Sequence, residues 1–309
     1  MREPPARVAW LDFHKLRLFA AVAEHEHYSR AADALGISQP ALTVHVRDLE
    51  RHFGVSLFER VGRNVRLTDA GKLVRDYARR IVALAEELDE AVGDLRGVRA
   101  GTLHLGASTT IGEYLLPGVL GVFRAQHPGI DVTVEIANTR WIADRVRRGT
   151  VHLGLLGEPV EESELVSEPY GDDEIVLIAP PGHAWASRQV ALRELSDAAY
   201  IVREQGSATR DVAAATLAAR GIRLPVALEL GGTEAVKGAV AAGLGVAFVS
   251  ACAVGLEVET GRLVRVTVAG LDIRRRFQIV RRRGRRLTAA ESAFIPLLRS
   301  GVLGVPHTP

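Results

Sequence analysis

The sequence predicts an α/β fold with an all-α-type head: a winged helix-turn-helix, then one long helix, then a two-lobed α/β region. Three observations support this prediction. Residues 28–53 contain two short helical patterns separated by a turn, residues 73–95 keep an apolar seam, and strand and helix patterns alternate from Gly101 onward. With 309 residues and 47% hydrophobic content, the chain can form two or three apolar cores.

The head contains two predicted helices joined by a tight turn. We expect the first helix to begin at a cap at Ser29 and to stop at Gly36. The second should begin at a cap at Ser38, with Pro40 in its first turn. The apolar residues that would pack both helices inward are Ala31, Ala32, Leu35, Leu42, Val46, Leu49 and Phe53. This pattern is typical of a helix-turn-helix.

The outward face of the second helix carries groups suited to the major groove of DNA. Ser38, Gln39, Thr43, Arg47 and Arg51 offer donors, acceptors and positive charge on that face. The alternative is a small helical hairpin inside an ordinary core, because serine caps and alanine stripes are common. The outward polar set favours a function in binding double-stranded DNA.

A wing and a long helix should follow. Two short strands at residues 57–60 and 65–67 would form the wing and complete a DNA-binding domain over residues 11–68. Thr68 would then cap a linker helix over residues 69–98. The seam that we expect to pair with a second copy of the chain consists of Leu73, Tyr77, Ile81, Leu84, Leu88, Val92 and Leu95. The alternative, a helix lying on its own domain, is disfavoured because the preceding residues offer too little apolar surface to cover it.

Residues 101–305 alternate between strand and helix patterns, with nine strands and five helices between residues 102 and 299. This alternation predicts mainly parallel sheets with helices on both faces.

Six motifs occur in order in the head: residues 29–32, 38–43, 49–50, 53–54, 57–60 and 67–71. Together they resemble the N-terminal signature of LysR-type transcriptional regulators. The resemblance implies a winged helix-turn-helix, a dimerising helix and an effector-binding domain that is similar to periplasmic solute-binding proteins. It places the first lobe at about 101–173 and 274–305 and the second at about 174–272, so that the chain crosses between lobes twice.

The effector region also resembles one branch of that family. Residues 203–210, 233–237 and 241–245 are similar to regulators of carbon-fixation and sulfur-assimilation operons. The chain departs from that branch at Gln205, where proline is usual, and at Ala208, where glycine is usual. The resemblance implies promoter DNA as a partner and a homodimer or homotetramer, with RNA polymerase left open as a further partner.

Several head residues are candidate DNA contacts. Gln39 would pair with adenine and Thr43 would touch a thymine methyl, whereas Pro40 would begin the same helix. The backbone N–H groups at the two helix starts, near Ser29 and Ser38, would donate hydrogen bonds to phosphate oxygens. The predicted cationic contacts are Arg30, Arg47, Arg60 and Arg66 to phosphates and Arg63 to a minor groove. A solvated surface charge remains the alternative for at least one of the four phosphate-binding arginines. Val44 stands where the family commonly has a polar or basic base-reading residue, which suggests a shift of specificity to Thr43, His45 and DNA shape.

Three predicted strand ends carry groups that bind small anions. They are residues 107–110, 203–210 and 231–234, and each precedes a helix start with free backbone N–H groups. We expect these ends to meet in one cleft and to hold a small oxyanion or a short organic acid. The predicted effector-binding residues are Ser108, Thr109, Arg203, Ser207 and Thr233. The alternative is that these side chains only cap helices.

Composition limits how the protein can bind DNA and argues against disulfides, secretion and a membrane span. The net charge is only +2, so DNA binding must depend on where the cations lie. Cys252, the single cysteine, excludes an intramolecular disulfide. Residues 1–10 make no signal peptide, and the glycines within residues 238–256 argue against a membrane span. We therefore expect no membrane contact and a cytoplasmic, nucleoid-associated protein.

Other motifs favour neither a cofactor nor catalysis. The residues 25–27 place two histidines on different sides of a helix, which argues against a metal site. The arginine-rich residues 274–286 suggest a solvated edge strand rather than a DNA contact. No Ser-His-Asp order or phosphate-loop motif supports an enzyme. The rival functions are a solute-binding transport component and, less favoured, an α/β enzyme that uses the cleft.

Overall fold

The computed structural model describes residues 11–61, 64–94 and 101–300. The predicted contacts of Arg63 and Leu95 lie outside these residues. The chain divides between residues 89 and 90 into two compact units.

The first unit begins with three helices around one apolar core, and a β-hairpin follows them. The elements are α1 (Phe13–His25), α2 (Tyr28–Leu35), α3 (Gln39–Phe53), β1 (Phe58–Val61) and β2 (Asn64–Leu67). The two strands pair antiparallel, as expected for a wing. The core contains Phe19, Val22 and Leu42, all fully buried, together with Ala31 and Ala32 of α2.

Helix caps confirm most of the predicted boundaries in the head. The Ala41 N–H donates to Ser38 Oγ at 3.4 Å, so Ser38 caps α3. Gly36 adopts a φ of +65° and ends α2. The prediction that Ser29 caps α2 is wrong, because the cap lies two residues earlier, at His27, whose Nδ1 accepts from the Arg30 N–H. The prediction that Phe53 packs inward is also wrong, since this side chain is 38% exposed.

A single long helix, α4 (Asp69–Asp94), follows the wing. Thr68 Oγ1 accepts from the Gly71 N–H at 3.0 Å, as predicted for a cap. The start of α4 presses against residue 57, because a Cβ built on Gly71 would lie 2.0 Å from the Leu57 carbonyl oxygen. Ala78 is fully buried and faces the head core. The predicted seam residues within the described part of α4 are all exposed: Leu73, Tyr77, Ile81, Leu84, Leu88 and Val92.

The second unit is a two-lobed α/β structure. Its strands are β3 (Gly101–Ser108), β4 (Ile130–Ala137), β5 (Leu153–Leu156), β6 (Leu165–Ala179), β7 (Tyr200–Arg203), β8 (Val226–Leu230), β9 (Ala247–Ser250), β10 (Val264–Val266) and β11 (Arg274–Arg282). Its helices are α5 (Leu116–Gln126), which follows a π-helical turn at Ile111–Leu115, α6 (Thr139–Arg148), α7 (Ala208–Ala218), α8 (Thr233–Ala241), α9 (Gly255–Glu259) and α10 (Ala289–Arg299).

Two long strands join the lobes. The large sheet has the order β10-β6-β11-β5-β3-β4, with β9 also paired to β6. Strands β6 and β11 pair antiparallel along their length, and Asp173 lies opposite Arg275 in this register. Separate apolar cores flank this point, one around Phe123 and Phe294 and the other around Tyr200. The prediction of mainly parallel sheets is wrong, because β11 pairs antiparallel with both β5 and β6, and β9 and β10 also pair antiparallel with β6.

The arginine-rich strand is not at a sheet edge. Strand β11 lies between β6 and β5, so the interpretation of residues 274–286 as a solvated edge is wrong. Its arginines are instead paired with carboxylates: Arg276 lies 3.6 Å from Asp172, and Arg281 lies 3.1 Å from Glu168. Four of the five arginines of β11 are thus paired with carboxylates: Arg274, Arg275, Arg276 and Arg281.

Candidate functional site

A groove runs between helix α3 and the wing in the first unit. Five predicted DNA contacts line this groove: Ser29, Gln39, Thr43, Arg47 and Arg60. Four others are exposed but lie outside it: Arg30, Ser38, Pro40 and Arg66. The arrangement presents polar and cationic side chains from α2, α3 and the wing on one side of the head.

Hydrogen bonds hold the recognition residues in place. Ser29 Oγ donates to Gln39 Oε1 at 3.2 Å, which orients the amide of Gln39. Thr43 Oγ1 donates to the backbone carbonyl of Gln39 at 2.9 Å, so its hydroxyl proton is committed within the helix. Glu50 accepts from the backbone N–H groups of Leu57 and Phe58 and thereby ties the wing to α3.

Charges around α3 are partly paired. Asp48 accepts from Lys15 at 2.8 Å and from Arg51 at 2.9 Å, and the hydrogen bond from Lys15 is the largest cause of the lowered pKa of Asp48. Burial, together with the charge of Glu50, raises the pKa of Tyr28 to about 12, so that this phenol stays neutral in the groove.

A second, much smaller cavity of about 10 Å³, roughly the space of one water molecule, lies where the two lobes meet, so the lobes must part to admit a larger ligand. Four of the predicted effector residues line it: Ser108, Thr109, Arg203 and Ser207. Thr233 is not among the residues that line it; its hydroxyl accepts from Arg203 Nη1 at 2.7 Å. Arg203 also donates to Thr109, so the three predicted strand ends do meet, and the effector role of Thr233 stays a prediction.

Arg203 is buried and heavily committed. Its guanidinium donates to both oxygens of Glu204, at 2.7 and 2.8 Å, and to Thr109 Oγ1 at 3.2 Å. Burial alone would raise the pKa of Glu204, but the hydrogen bonds and charge of Arg203 outweigh burial and leave that pKa lowered. The positive charge of Arg203 is therefore offset before any anion arrives.

Three residues outside the segments singled out from the sequence also line the cavity: Asn138, Thr139 and Arg275. Asn138 and Thr139 follow β4 and start α6, which is the same strand-end signal that indicated the other sites. Arg275 gave no such signal, because it lies within a run of arginines. Its position depends on the register that places it opposite Asp173.

Arg275 is anchored at the crossing point of the lobes. It is 7% exposed, and its Nε donates to Asp173 Oδ2 at 2.7 Å while Nη1 donates to Thr209 Oγ1 at 3.0 Å. Asp173 also accepts from Ser250 Oγ at 2.6 Å. Nη2 lies 2.7 Å from the same Asp173 oxygen but makes no hydrogen bond there.

Three buried polar atoms in this wall make no hydrogen bond within residues 11–61, 64–94 and 101–300. They are Ser108 Oγ, Thr139 Oγ1 and Arg275 Nη2. The three residues are 5–7% exposed. A buried polar atom without a partner costs free energy. Arg275 Nη2 keeps its ion pair with Asp173, but the two hydroxyls have no partner among the described residues, so their position at one cavity indicates a ligand that would satisfy them.

Several contacts join the two lobes beside the cavity. The Arg140 N–H donates to the Gly206 carbonyl at 3.2 Å, and Asn138 Nδ2 donates to the Gln205 carbonyl at 3.4 Å. Gly206 has a φ of +86°, and a Cβ there would lie 2.9 Å from Arg140 Cβ. Farther along, the Tyr114 hydroxyl donates to Glu234. The lobes are thus in contact along this side of the cleft.

The described residues offer neither a metal-binding cluster nor a membrane-spanning helix. They contain no group of three or more histidine, cysteine, aspartate or glutamate side chains arranged to hold a metal. None of their helices is both long enough and apolar enough to span a bilayer.

Two family models match this chain and together identify its protein family. Residues 13–72 match the model described as bacterial regulatory helix-turn-helix protein, lysR family, and residues 96–302 match the LysR substrate binding domain. The chain belongs to the LysR family. It is a DNA-binding transcription regulator with an effector-binding domain, and the resemblance seen in the sequence is confirmed.

Relatives and solved structures agree with this assignment. The RuBisCO operon transcriptional regulator of Allochromatium vinosum is 38% identical over 285 residues, which cover 92% of this chain and 94% of that protein. The regulatory domain of CcmR from Synechocystis PCC6803, solved in complex with 2-PG (2-phosphoglycolate), is 30% identical with a TM-score of 0.62 and covers 67% of this chain and 99% of that one. Full-length CbnR, a LysR-type regulator solved with its target DNA, is 22% identical with a TM-score of 0.68 over 94% of this chain and 99% of that one, which shows the shared fold.

Proposed function

We propose that this LysR-type regulator binds a small anion in the cavity between its lobes and that the anion alters how the protein holds promoter DNA. The observation that carries the proposal is that three buried atoms at the cavity, Ser108 Oγ, Thr139 Oγ1 and Arg275 Nη2, make no hydrogen bond among the described residues, although Nη2 lies beside the Asp173 carboxylate. Two hydroxyls and one guanidinium nitrogen are donors that match the oxygens of a phosphate or carboxylate.

Helix ends add to this attraction. The N-termini of α6 and α7 begin at Thr139 and Ala208, and both residues line the cavity. The partial positive charge of a helix N-terminus favours an anion there. We propose a small phosphorylated or carboxylated organic acid as the effector. The related CcmR regulatory domain, which was solved with 2-phosphoglycolate, supports this class.

Effector binding would act through the point where the chain crosses between lobes. Arg275 contacts Asp173 on β6 and Thr209 on α7, so it touches both crossing strands and the second lobe. An anion that bonds to Nη2 would shift the Arg275 guanidinium and so change its contacts with both Asp173 and Thr209. We propose that this couples occupancy of the cavity to the angle between the lobes.

The groove of the first unit would contact DNA. We propose Gln39 and Thr43 as base contacts, Arg63 as a minor-groove contact, and Pro40 as the start of the recognition helix. The proposed contacts to DNA phosphates are Ser29, Arg30, Ser38, Arg47, Arg60 and Arg66. The protein would be a homodimer or homotetramer, because the exposed seam of α4 offers a continuous apolar stripe to a second copy. RNA polymerase would be a further partner, and the protein would act at the nucleoid in the cytoplasm.

We propose that the cavity binds without catalysing a reaction and without a cofactor. The relatives found are transcription regulators. A solute-binding transport component shares the two-lobed architecture, but the DNA-reading head matched over residues 13–72 favours the regulator.

Calorimetry with the full-length protein tests the proposed effector class. The titrants are 2-phosphoglycolate, glycolate, phosphate, sulfate and sulfite. We expect saturable binding of the phosphorylated acid and weaker binding of glycolate, which lacks the phosphate. Absence of binding by all five anions would refute the anionic effector while leaving DNA binding untouched.

A further inference from the structure

Helix α3 presents an apolar side chain at the centre of its outward face. Its buried residues Leu42, Val46 and Leu49 mark the inward side. At 100° per residue, the direction opposite to these three points through Val44, with Pro40 one turn earlier. Val44 is 55% exposed and belongs to no part of the head core.

Cations flank this apolar position. Arg47 and Arg51 lie on the same outward side of α3, and Arg51 is 79% exposed at its side chain. Gln39 and Thr43 lie toward the wing and line the groove. Val44 is therefore surrounded by the residues that approach DNA, at the point of α3 farthest from the core.

An exposed valine inside a helix does not increase the folding stability of the head. A β-branched residue loses side-chain freedom in a helix, and exposed apolar area gains nothing from water. In the major groove, the C5-methyl group of thymine is the apolar feature of the base edges. A recognition helix that carries valine at its outermost position matches that feature.

We propose that Val44 contacts the methyl group of a thymine in each half-site and is a specificity-determining residue of this protein. The contact would be apolar, so it would discriminate thymine from bases and analogues that lack the methyl. It would keep specificity at this position of α3, whereas the sequence alone suggested a shift to Thr43, His45 and DNA shape.

The test uses the duplex that the full-length protein enriches from a randomised DNA pool. Each thymine of that duplex is replaced in turn by deoxyuridine, which removes only the methyl group. Affinities are measured for the wild type, for Val44→Ala and for the control Val55→Ala. Val55 is 47% exposed and lies in the turn that follows α3, away from its outward face.

For the wild type, we expect deoxyuridine at one thymine of each half-site to weaken binding about fourfold, which corresponds to the burial of one methyl-sized group. Val44→Ala should bind the thymine and deoxyuridine duplexes about equally at that position, whereas Val55→Ala should behave as the wild type. Since alanine favours helices, Val44→Ala should remain folded.

Two outcomes would overturn the proposal. One is that every deoxyuridine substitution weakens Val44→Ala as much as the wild type. The other is that Val44→Ala alters the oligomeric state while methyl dependence is unchanged, which would place Val44 in a contact between protein copies.

Discussion

Replacing Thr139 by valine should strengthen the free protein and weaken its effector binding. Thr139 is 5% exposed, its hydroxyl has no partner among the described residues, and valine keeps nearly the same shape. A buried hydroxyl without a hydrogen bond costs about 1–3 kcal/mol, so its removal should raise the free energy of unfolding by an amount up to this size. The melting temperature should rise by roughly 2–4 °C for each kcal/mol.

The same substitution should act in the opposite direction on the complex. A hydrogen bond to a charged ligand contributes about 1.5–3 kcal/mol, so we expect affinity for 2-phosphoglycolate to fall about ten- to hundredfold. Differential scanning fluorimetry and calorimetry on the full-length protein measure both effects. Thr133→Val is the matched control, because Thr133 is exposed on the neighbouring strand β4. A lower melting temperature together with unchanged affinity would refute the reasoning.

Three further predictions concern the head, the seam and the pH response. Ser38→Ala removes the N-cap of α3 and should lower the free energy of unfolding by about 1 kcal/mol in chemical denaturation; no change would contradict the cap. Leu84→Glu with Leu88→Glu places charge on two exposed seam residues, and light scattering should show monomers if α4 pairs through them. Burial, then the charge of Arg285, lowers the pKa of His152 to about 3. Below pH 6.5 the imidazole binds a proton in the unfolded chain but not in the folded protein. The free energy of unfolding should therefore fall by about 2 kcal/mol between pH 7 and pH 5. His152→Leu should flatten that part of the profile, and an equally steep profile would contradict the assignment.

The local elements were predictable because short-range patterns determine them. Three of the nine predicted strands, at residues 153–156, 200–203 and 226–230, coincide with β5, β7 and β8. Long-range register was not predictable. Nothing local distinguishes the pairing of Arg275 with Asp173 from other pairings in an arginine-rich strand.

The candidate effector site shows the same division. Ser108, Thr109, Arg203 and Ser207 follow strand ends, and that signal brought them to one cavity. Thr233 follows the same signal, but its hydroxyl accepts from Arg203 and it is not among the residues that line the cavity. A pattern of strands and helices does not show which groups a long arginine side chain reaches.

The central claim is that occupancy of the cavity changes how the head units hold DNA. Footprinting of the enriched duplex by the full-length protein, with and without 2-phosphoglycolate, tests it most directly. We predict that the ligand changes the length or spacing of the protected DNA for the wild type and that Thr139→Val needs about ten- to hundredfold more ligand for the same change. Identical protection with and without a ligand that calorimetry shows to be bound would contradict the claim.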